Sequence, residues 1–307
     1  MEKRIEVILN SKAGSAAADD LVETVAAHFR EHSLSPLIHR VQGAEIGKMA
    51  VQAAHGNADI VVAGGGDGTI CGVATEVSKS KKVLGVLPLG TLNHFSKDLG
   101  VPQDLGEAVA AIADGREIAV DLGSINGEIF VNNSSIGLYP HIVKQREAQQ
   151  HRLGRSKWHA AFWAGAKSIW VTPFVKVKAV IDGKEYESRK TPFVFVGNNS
   201  YEMNLYHIGA RNKMDEGKLC VYALTNGTRM GVIALAAKTL TGRVKHWKDF
   251  KMINVESITL ITKRKKIAVA RDGEVGYVHT PLEYKIQPKA LRVLVPRVPQ
   301  VPQGATL

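Results

Sequence analysis

Cysteine is nearly missing from this chain: Cys71 and Cys220 are its only two among 307 residues, far apart and in no CxxC arrangement. A disulfide framework and a zinc ribbon are thereby excluded, and two reduced thiols in a cytoplasmic protein are expected. Long apolar runs are missing too. No window reaches the roughly 20 uncharged residues of a membrane-spanning helix. The opening "MEKRIEVILNSKAG" moves from basic residues directly into an alternating strand, without the apolar core and cleavage site of a signal peptide. Acid is the scarcer charge, with 29 Asp and Glu against 40 Lys and Arg, a formal net charge of +11. That excess favours an anionic partner, either nucleic acid or an anionic membrane face. No helix-turn-helix, finger, RNP or KH signature is written here, and the basic residues are spread over both halves, so no specific nucleic acid is expected.

What is present is a rhythm. Over the first 121 residues apolar strands alternate with helical patterns: "RIEVILN", "AADDLVETVAAHFREH", "SPLIHRV", "AEIGKMAVQAA", "ADIVVAGGG", "TICGVATEVSK", "KVLGVLPLG", "DLGEAVAAIADG", "EIAVDLG". Strands separated by helices of this length imply right-handed crossovers and a parallel sheet covered on both faces, with ligands bound beyond the carboxyl ends of its strands. "NSKAG", "GGGDGT" and "LPLGT" all fall at those ends. After Asp121 hairpin signals take over, as in "FVKVKAVIDGKEYES", which turns at Asp182 and Gly183. A Rossmann-like parallel α/β domain over 1–122 is therefore expected, followed by an antiparallel β domain over 123–289 with inserted helices. A last strand near 290–297 is expected to return to the first domain, and the tail from Val298 to be frayed. Two domains imply a cleft between them.

The informative stretch is "IVVAGGGDGTI", Ile60 to Ile70. Glycines directly after a buried strand permit close approach to the main chain, and phosphate is the usual guest. As a dinucleotide fingerprint it is incomplete, and neither a Walker A loop nor the HRD and DFG signatures of protein kinases occur in the chain. A carboxylate among amides that hold phosphates needs a bridging cation, so Asp67 points to a magnesium-nucleotide site. The bland alternative is a tight strand-to-helix turn with Asp67 or Thr69 as N-cap. "HFREH", His28 to His32, fits the H-x-x-E-H zinc pattern, but Val25 and Phe29 already explain that helix as a sheet cover.

"GGGDGTI", then "LPLGTLNHFSKDLGVP", "VDLG", "NNSSIG" and a late "RDGE" resemble, in this order, the diacylglycerol kinase and sphingosine kinase catalytic-domain family, above all its compact bacterial members. That resemblance implies a nucleotide-binding α/β domain, a C-terminal β-sandwich, and ATP with Mg²⁺ in the cleft. It implies nucleotide contacts from Asn10, Ser11, Gly65, Gly66, Asp67, Gly68, Thr69, Thr91 and Asn93. Ser11 stands where the family usually has proline, and no threonine of the kind the family often places after its second strand is evident in "IHRVQGAE". Asp67 and Asp121 would form the catalytic magnesium network, from which His94 removes the aspartate usual at that position. "DEGKL" resembles the family's structural magnesium loop, with Glu216 as side-chain ligand and Lys213 and Lys218 as carbonyl donors.

In "RDGE" the family places the base. Asp272 and Glu274 would point to one side if the chain stayed extended, whereas a solvated Asp-Gly hairpin turn is the competing reading of the spacing. The implied activity is ATP-dependent phosphorylation of a lipid hydroxyl, on diacylglycerol or a related glycerolipid. Alternatives are a nucleotide- and lipid-binding regulator that has lost turnover, and a kinase of a soluble substrate such as NAD. The partners are then a lipid at the inner membrane face, on which a cytoplasmic protein sits peripherally, and a second copy of the chain as candidate homodimer. The Trp-rich segment Trp158 to Trp170, preceded by Arg152, Arg155 and Lys157, and the basic runs Arg243 to Lys248 and Lys263 to Lys266 suit an anionic interface, although such an aromatic stripe also packs as ordinary core.

Overall fold

The computed structural model describes residues 3–12, 18–137, 174–181, 183–201, 211, 213–224, 228 and 250–297. The chain forms two compact units. The first takes Met1–Leu122, Lys213–Asp215 and Pro288–Leu307, the second Gly123–Asn212 and Glu216–Gln287.

In the first unit, strands β1 (Ile5–Asn10), β2 (Leu37–Val41), β3 (Ile60–Gly65) and β4 (Val83–Pro88) alternate with helices α1 (Ala18–Glu31), α2 (Ala44–His55) and α3 (Asp67–Val77). Helices α4 (His94–Asp98) and α5 (Leu105–Asp114) follow. The strands pair in parallel in the order β2, β1, β3, β4. All six residues of β3 are buried, as a strand covered on both faces requires. Helix α1 buries Val25 and Phe29, and α5 buries Ala108, Val109, Ala111 and Ile112. Each such side chain contributes roughly 1.5–3 kcal/mol for the larger residues. Asp104 caps α5, accepting from the Glu107 amide at 3.0 Å, a capping arrangement legible as D-x-x-E.

Two strands carry the chain from one unit to the other: β5 (Arg116–Ile125) and, at the end, the strand Leu282–Val295. The second unit holds β6 (Glu128–Phe130), β7 (Asn133–Gly137), β8 (Val175–Ile181), β9 (Lys184–Thr191), β10 (Phe193–Asn198), β11 (Leu219–Leu224), β12 (Phe250–Val255), β13 (Ser257–Thr262), β14 (Lys266–Arg271) and β15 (Glu274–His279); Leu282–Val295 is β16. One antiparallel sheet runs β12, β11, β10, β7, β14, β15. The facing layer pairs β9 with β8, β8 with β13, and β13 with the first half of β16. The second half of β16 pairs in parallel with β4, Arg292 opposite Val83.

Between the two layers of this β-sandwich lies one apolar core, with Phe130, Ile136, Val196, Leu219, Val221, Leu260, Val269 and Tyr284 among its members. Phe130 and Tyr284 meet edge to face at 6.3 Å, and the Tyr284 hydroxyl lies 3.2 Å from Ser134 Oγ, so its one polar atom is satisfied inside the core. The β8–β9 hairpin closes over residues 182 and 183, Ile181 pairing with Lys184. Gly183 has φ +75°, and Asp182 lies outside the described residues.

Candidate functional site

The glycine stretch sits where a parallel sheet presents ligands. β3 ends at Gly65, α3 starts at Asp67, and Gly66 between them is an N-cap that no side chain caps. Neither Asp67 nor Thr69 fills the capping role considered for it. The amides of the first α3 turn and the positive end of its dipole are left for an anion. Thr69 Oγ1 instead accepts from Asn10 Nδ2 at 2.9 Å, and Asn10 Oδ1 accepts from the Lys12 amide at 3.0 Å, which joins the end of β1 to α3. The Ser11 amide, available because no proline stands there, donates to the Val41 carbonyl at 2.8 Å.

The bare backbone is required by packing. A Cβ on Gly65 would lie 2.6 Å from Thr69 Oγ1, and one on Gly90 would lie 2.4 Å from the Gly66 Cα. Gly68 is exposed and a Cβ on it would meet nothing within 4 Å. Gly90→Ala is therefore expected to push the two glycine loops apart and lower the melting temperature, while Gly68→Ala has a smaller effect. Thermal melts of the two variants measure the difference.

Asp67 is half-buried, and its Oδ1 accepts from the Phe95 amide at 3.2 Å, at the start of α4. Asn93, at φ +52°, is buried and spends its side chain on the loop. Its Oδ1 accepts from the Gly90 amide at 3.0 Å, and its Nδ2 donates to the Pro88 and Gly90 carbonyls and to Gln103 Oε1. It shapes the loop that carries Thr91, which is exposed, as is His94.

Asp121 is 1% exposed; its Oδ1 accepts from the Lys289 amide at 2.8 Å and its own amide donates to the Met214 carbonyl at 2.7 Å. It ties β5 and the 213–215 segment to the chain entering the second half of β16. Among the described residues no three His, Cys, Asp or Glu side chains converge as around a metal ion. In the loop resembling a structural metal site, Glu216 Oε2 accepts from the Ser200 amide at 3.2 Å and the Lys218 carbonyl from the Asn199 amide at 3.0 Å. Lys213 falls with the first unit, Glu216 and Lys218 with the second.

Asp272 and Gly273 form the two-residue turn of the β14–β15 hairpin, at φ +47° and +89°, with Arg271 paired to Glu274. The extended spacing that would aim both acids to one side is thus broken, because two positive φ angles reverse the chain between them. The turn is a hairpin turn, but its carboxylate is half-buried and clasped by backbone amides. Asp272 Oδ2 accepts from the Val131 amide at 2.8 Å, and Oδ1 from the Asn132 and Asn133 amides at 2.8 and 3.1 Å. Burial pushes this carboxyl above its ordinary value, while the three amides and the Arg211 charge pull against that rise. Glu274 is exposed at the start of the edge strand β15.

Arg211 had no sequence signal: it is an isolated basic residue in a chain rich in them. In the fold it is 3% exposed, with Nη1 donating to the Val131 carbonyl at 3.0 Å and Nη2 to Asn132 Oδ1 at 2.7 Å. Buried Asn132 and Asn198 belong to the same network. The H-x-x-E-H histidines face acids rather than each other: His28 lies 3.4 Å from Glu31 and His32 2.9 Å from Asp114. The Trp-rich segment with Arg152, Arg155 and Lys157, the Arg243 to Lys248 run, and the tail from Val298 lie outside the described residues.

Residues 4–125 match the diacylglycerol kinase catalytic domain, and residues 143–295 match the YegS C-terminal NAD kinase beta sandwich-like domain. A diacylglycerol kinase of Staphylococcus aureus (strain bovine RF122 / ET3-1) is 24% identical over 286 residues, covering 90% of this chain and 87% of the relative. A solved diacylglycerol kinase structure from Bacillus anthracis str. Sterne superposes with a TM-score of 0.71 at 20% identity, over 95% of this chain and 97% of that one. An NAD kinase from Archaeoglobus fulgidus, solved in complex with ATP, superposes with a TM-score of 0.54 at 12% identity, over 96% and 94% of the two chains. The α/β domain with its glycine-lined sheet edge thus belongs to the diacylglycerol kinase catalytic-domain family, and it is followed in this kinase by an NAD kinase-like β-sandwich that carries the RDGE turn.

Proposed function

We propose that this kinase transfers the γ-phosphoryl group of ATP to a lipid hydroxyl, that of diacylglycerol or a related glycerolipid. The observation that carries the reading is the α3 N-terminus, uncapped at Gly66 and bordered by Gly90, where a Cβ would lie 2.4 Å from the Gly66 Cα. The first-turn amides, left without a side-chain cap, suit an anion such as a polyphosphate. On this reading Asn10, Ser11, Gly65 to Thr69 and Thr91 line the phosphates, and Asn93 shapes the wall.

The donor chemistry suits Mg²⁺. That ion keeps several waters and needs only one or two carboxylates beside the phosphates, so Asp67 fits without a preformed ligand cluster. Bound there, it would neutralise charge on the transferring group. Asp121 would support this edge from the core, and Glu216 with the Lys218 carbonyl would serve a structural Mg²⁺. Asp272 would take the acceptor proton or orient its hydroxyl, the role that the family resemblance also offers to Glu274.

The four consecutive basic residues Lys263 to Lys266 are all exposed, which supports peripheral contact with anionic lipid. A second reading, a regulator without turnover, rests on His94. The test incubates the protein with labelled ATP, magnesium and a panel of diacylglycerol, phosphatidylglycerol, ceramide, sphingoid base, NAD and fructose 6-phosphate. Label in the lipid phase supports the proposal; label on NAD or sugar overturns it. ATP binding without label transfer assigns the regulator. His94→Asp is expected to lower the magnesium concentration needed for half-maximal rate, and an unchanged or raised requirement would show that position 94 is no part of the metal environment.

A further inference from the structure

We propose that Arg211 is a positioning residue for Asp272, acting through the single peptide unit between Val131 and Asn132. This rests on the reading of Asp272 given above. In a trans peptide the carbonyl and the amide point in opposite directions. Here the Val131 carbonyl accepts from Arg211 Nη1 at 3.0 Å, and the Asn132 amide of the same peptide donates to Asp272 Oδ1 at 2.8 Å. A guanidinium therefore stands at one end of the peptide dipole and a carboxylate at the other. Each polarises the group between them so that both hydrogen bonds strengthen.

The rest of the network holds that peptide still. Arg211 Nη2 grips Asn132 Oδ1 at 2.7 Å, Asn198 Nδ2 donates to the Val131 carbonyl at 2.9 Å, and the Tyr201 hydroxyl donates to the Asn132 carbonyl at 2.8 Å. Tyr201 also covers the guanidinium, its ring centre 5.5 Å away. A guanidinium this deeply buried is costly unless its charge is answered. Neutral oxygens of Val131, Asn132 and Asn198 answer its geometry, and the Asp272 carboxylate faces its charge from the far side of one peptide. The other charged side chains on the hairpin turn are Arg271, in an ion pair with Glu128, and the exposed Glu274.

Loss of Arg211 would leave the Asp272 clasp with its three amides but without the charge behind it. Asp272 would then bind a proton more readily, and the turn would hold its carboxylate less firmly. Arg211→Gln is expected to lower kcat roughly 10- to 100-fold with Mg-ATP and dioctanoylglycerol, the range seen when a supporting partner of a reacting group is lost, with KM for ATP within twofold.

Two further readouts separate positioning from general damage. In the Asp272→Asn background the same Arg211→Gln change should have almost no additional effect on kcat, whereas a structural role gives an independent loss. A ¹³C titration of the Asp272 carboxylate, which needs no substrate, should move to higher pH in Arg211→Gln and return partway in Arg211→Lys, the variant that also serves if Arg211→Gln fails to fold. A folded variant with an unmoved Asp272 titration overturns the proposal. If Asp272→Asn is itself fully active, the catalytic reading of Asp272 falls instead, and the titration still decides whether Arg211 acts on it.

Discussion

Asp67→Ala is expected to abolish detectable phosphoryl transfer and to remove the magnesium dependence of ATP binding, while the protein stays folded. Asp67 is the first residue of α3, only half-buried, and among the described residues its side chain accepts from the Phe95 amide. Losing that bond costs on the order of 1–2 kcal/mol, small against the stability of a domain. Losing the carboxylate costs far more in function, because phosphoryl transfer depends on neutralising charge around the transferring group. Removal of a single such electrostatic contact lowers kcat by roughly 10²- to 10³-fold, and removal of a metal ligand should exceed that. Calorimetric titration with ATP, with and without magnesium, checks the binding half, and a thermal melt checks the fold. Wild-type kinetics in the variant would overturn the magnesium assignment at the α3 N-terminus.

How much of this was legible in the sequence varies with the physics of each element. The parallel sheet was, because β1, β3 and β4 are apolar runs separated by amphipathic helices, and that period is a property of every residue in the run. The glycine turn into α3 was legible too, but its N-cap was not: Asp67 and Thr69 were weighed for that place, and Gly66, which has no side chain to cap with, holds it. Asn93 was read as a ligand-facing polar residue, but its amide is consumed by Pro88, Gly90 and Gln103, and bonds from side chain to backbone leave no periodic trace. The RDGE stretch was read as two competing possibilities. The fold makes it a tight turn and a clasped carboxylate at once, because the 131–133 amides that clasp Asp272 come from about 140 residues earlier in the chain. Arg211 was invisible for the same reason: nothing in "GARNKM" distinguishes a buried guanidinium from a solvated one.

Asp272→Asn is expected to lower kcat by roughly 10²- to 10⁴-fold, the range of general-base loss, with ATP affinity nearly unchanged. Asp272 Oδ1 already accepts two amides and Oδ2 one, which leaves room on Oδ2 for the hydrogen of an acceptor hydroxyl. The asparagine offers a single acceptor oxygen and sets its NH₂ against at least one of those amides. The variant should therefore also lose on the order of 1–3 kcal/mol of stability, and kcat must be measured well below its melting temperature. The wild-type rate is expected to fall on the acid side at a pH above the ordinary carboxylate value of about 4, because burial raises the proton affinity of Asp272 and a protonated carboxyl cannot accept the hydroxyl hydrogen. That acid limb should disappear in Asp272→Asn. Glu274→Gln gives the contrast, since Glu274 is exposed on an edge strand and its change should leave stability untouched. If Asp272 is the base, Glu274→Gln keeps the acid limb and loses less rate. If the limb instead vanishes with Glu274→Gln and persists in a folded, active Asp272→Asn, the two carboxylates exchange roles, and Asp272 is the anchor of the turn rather than the group that takes the proton.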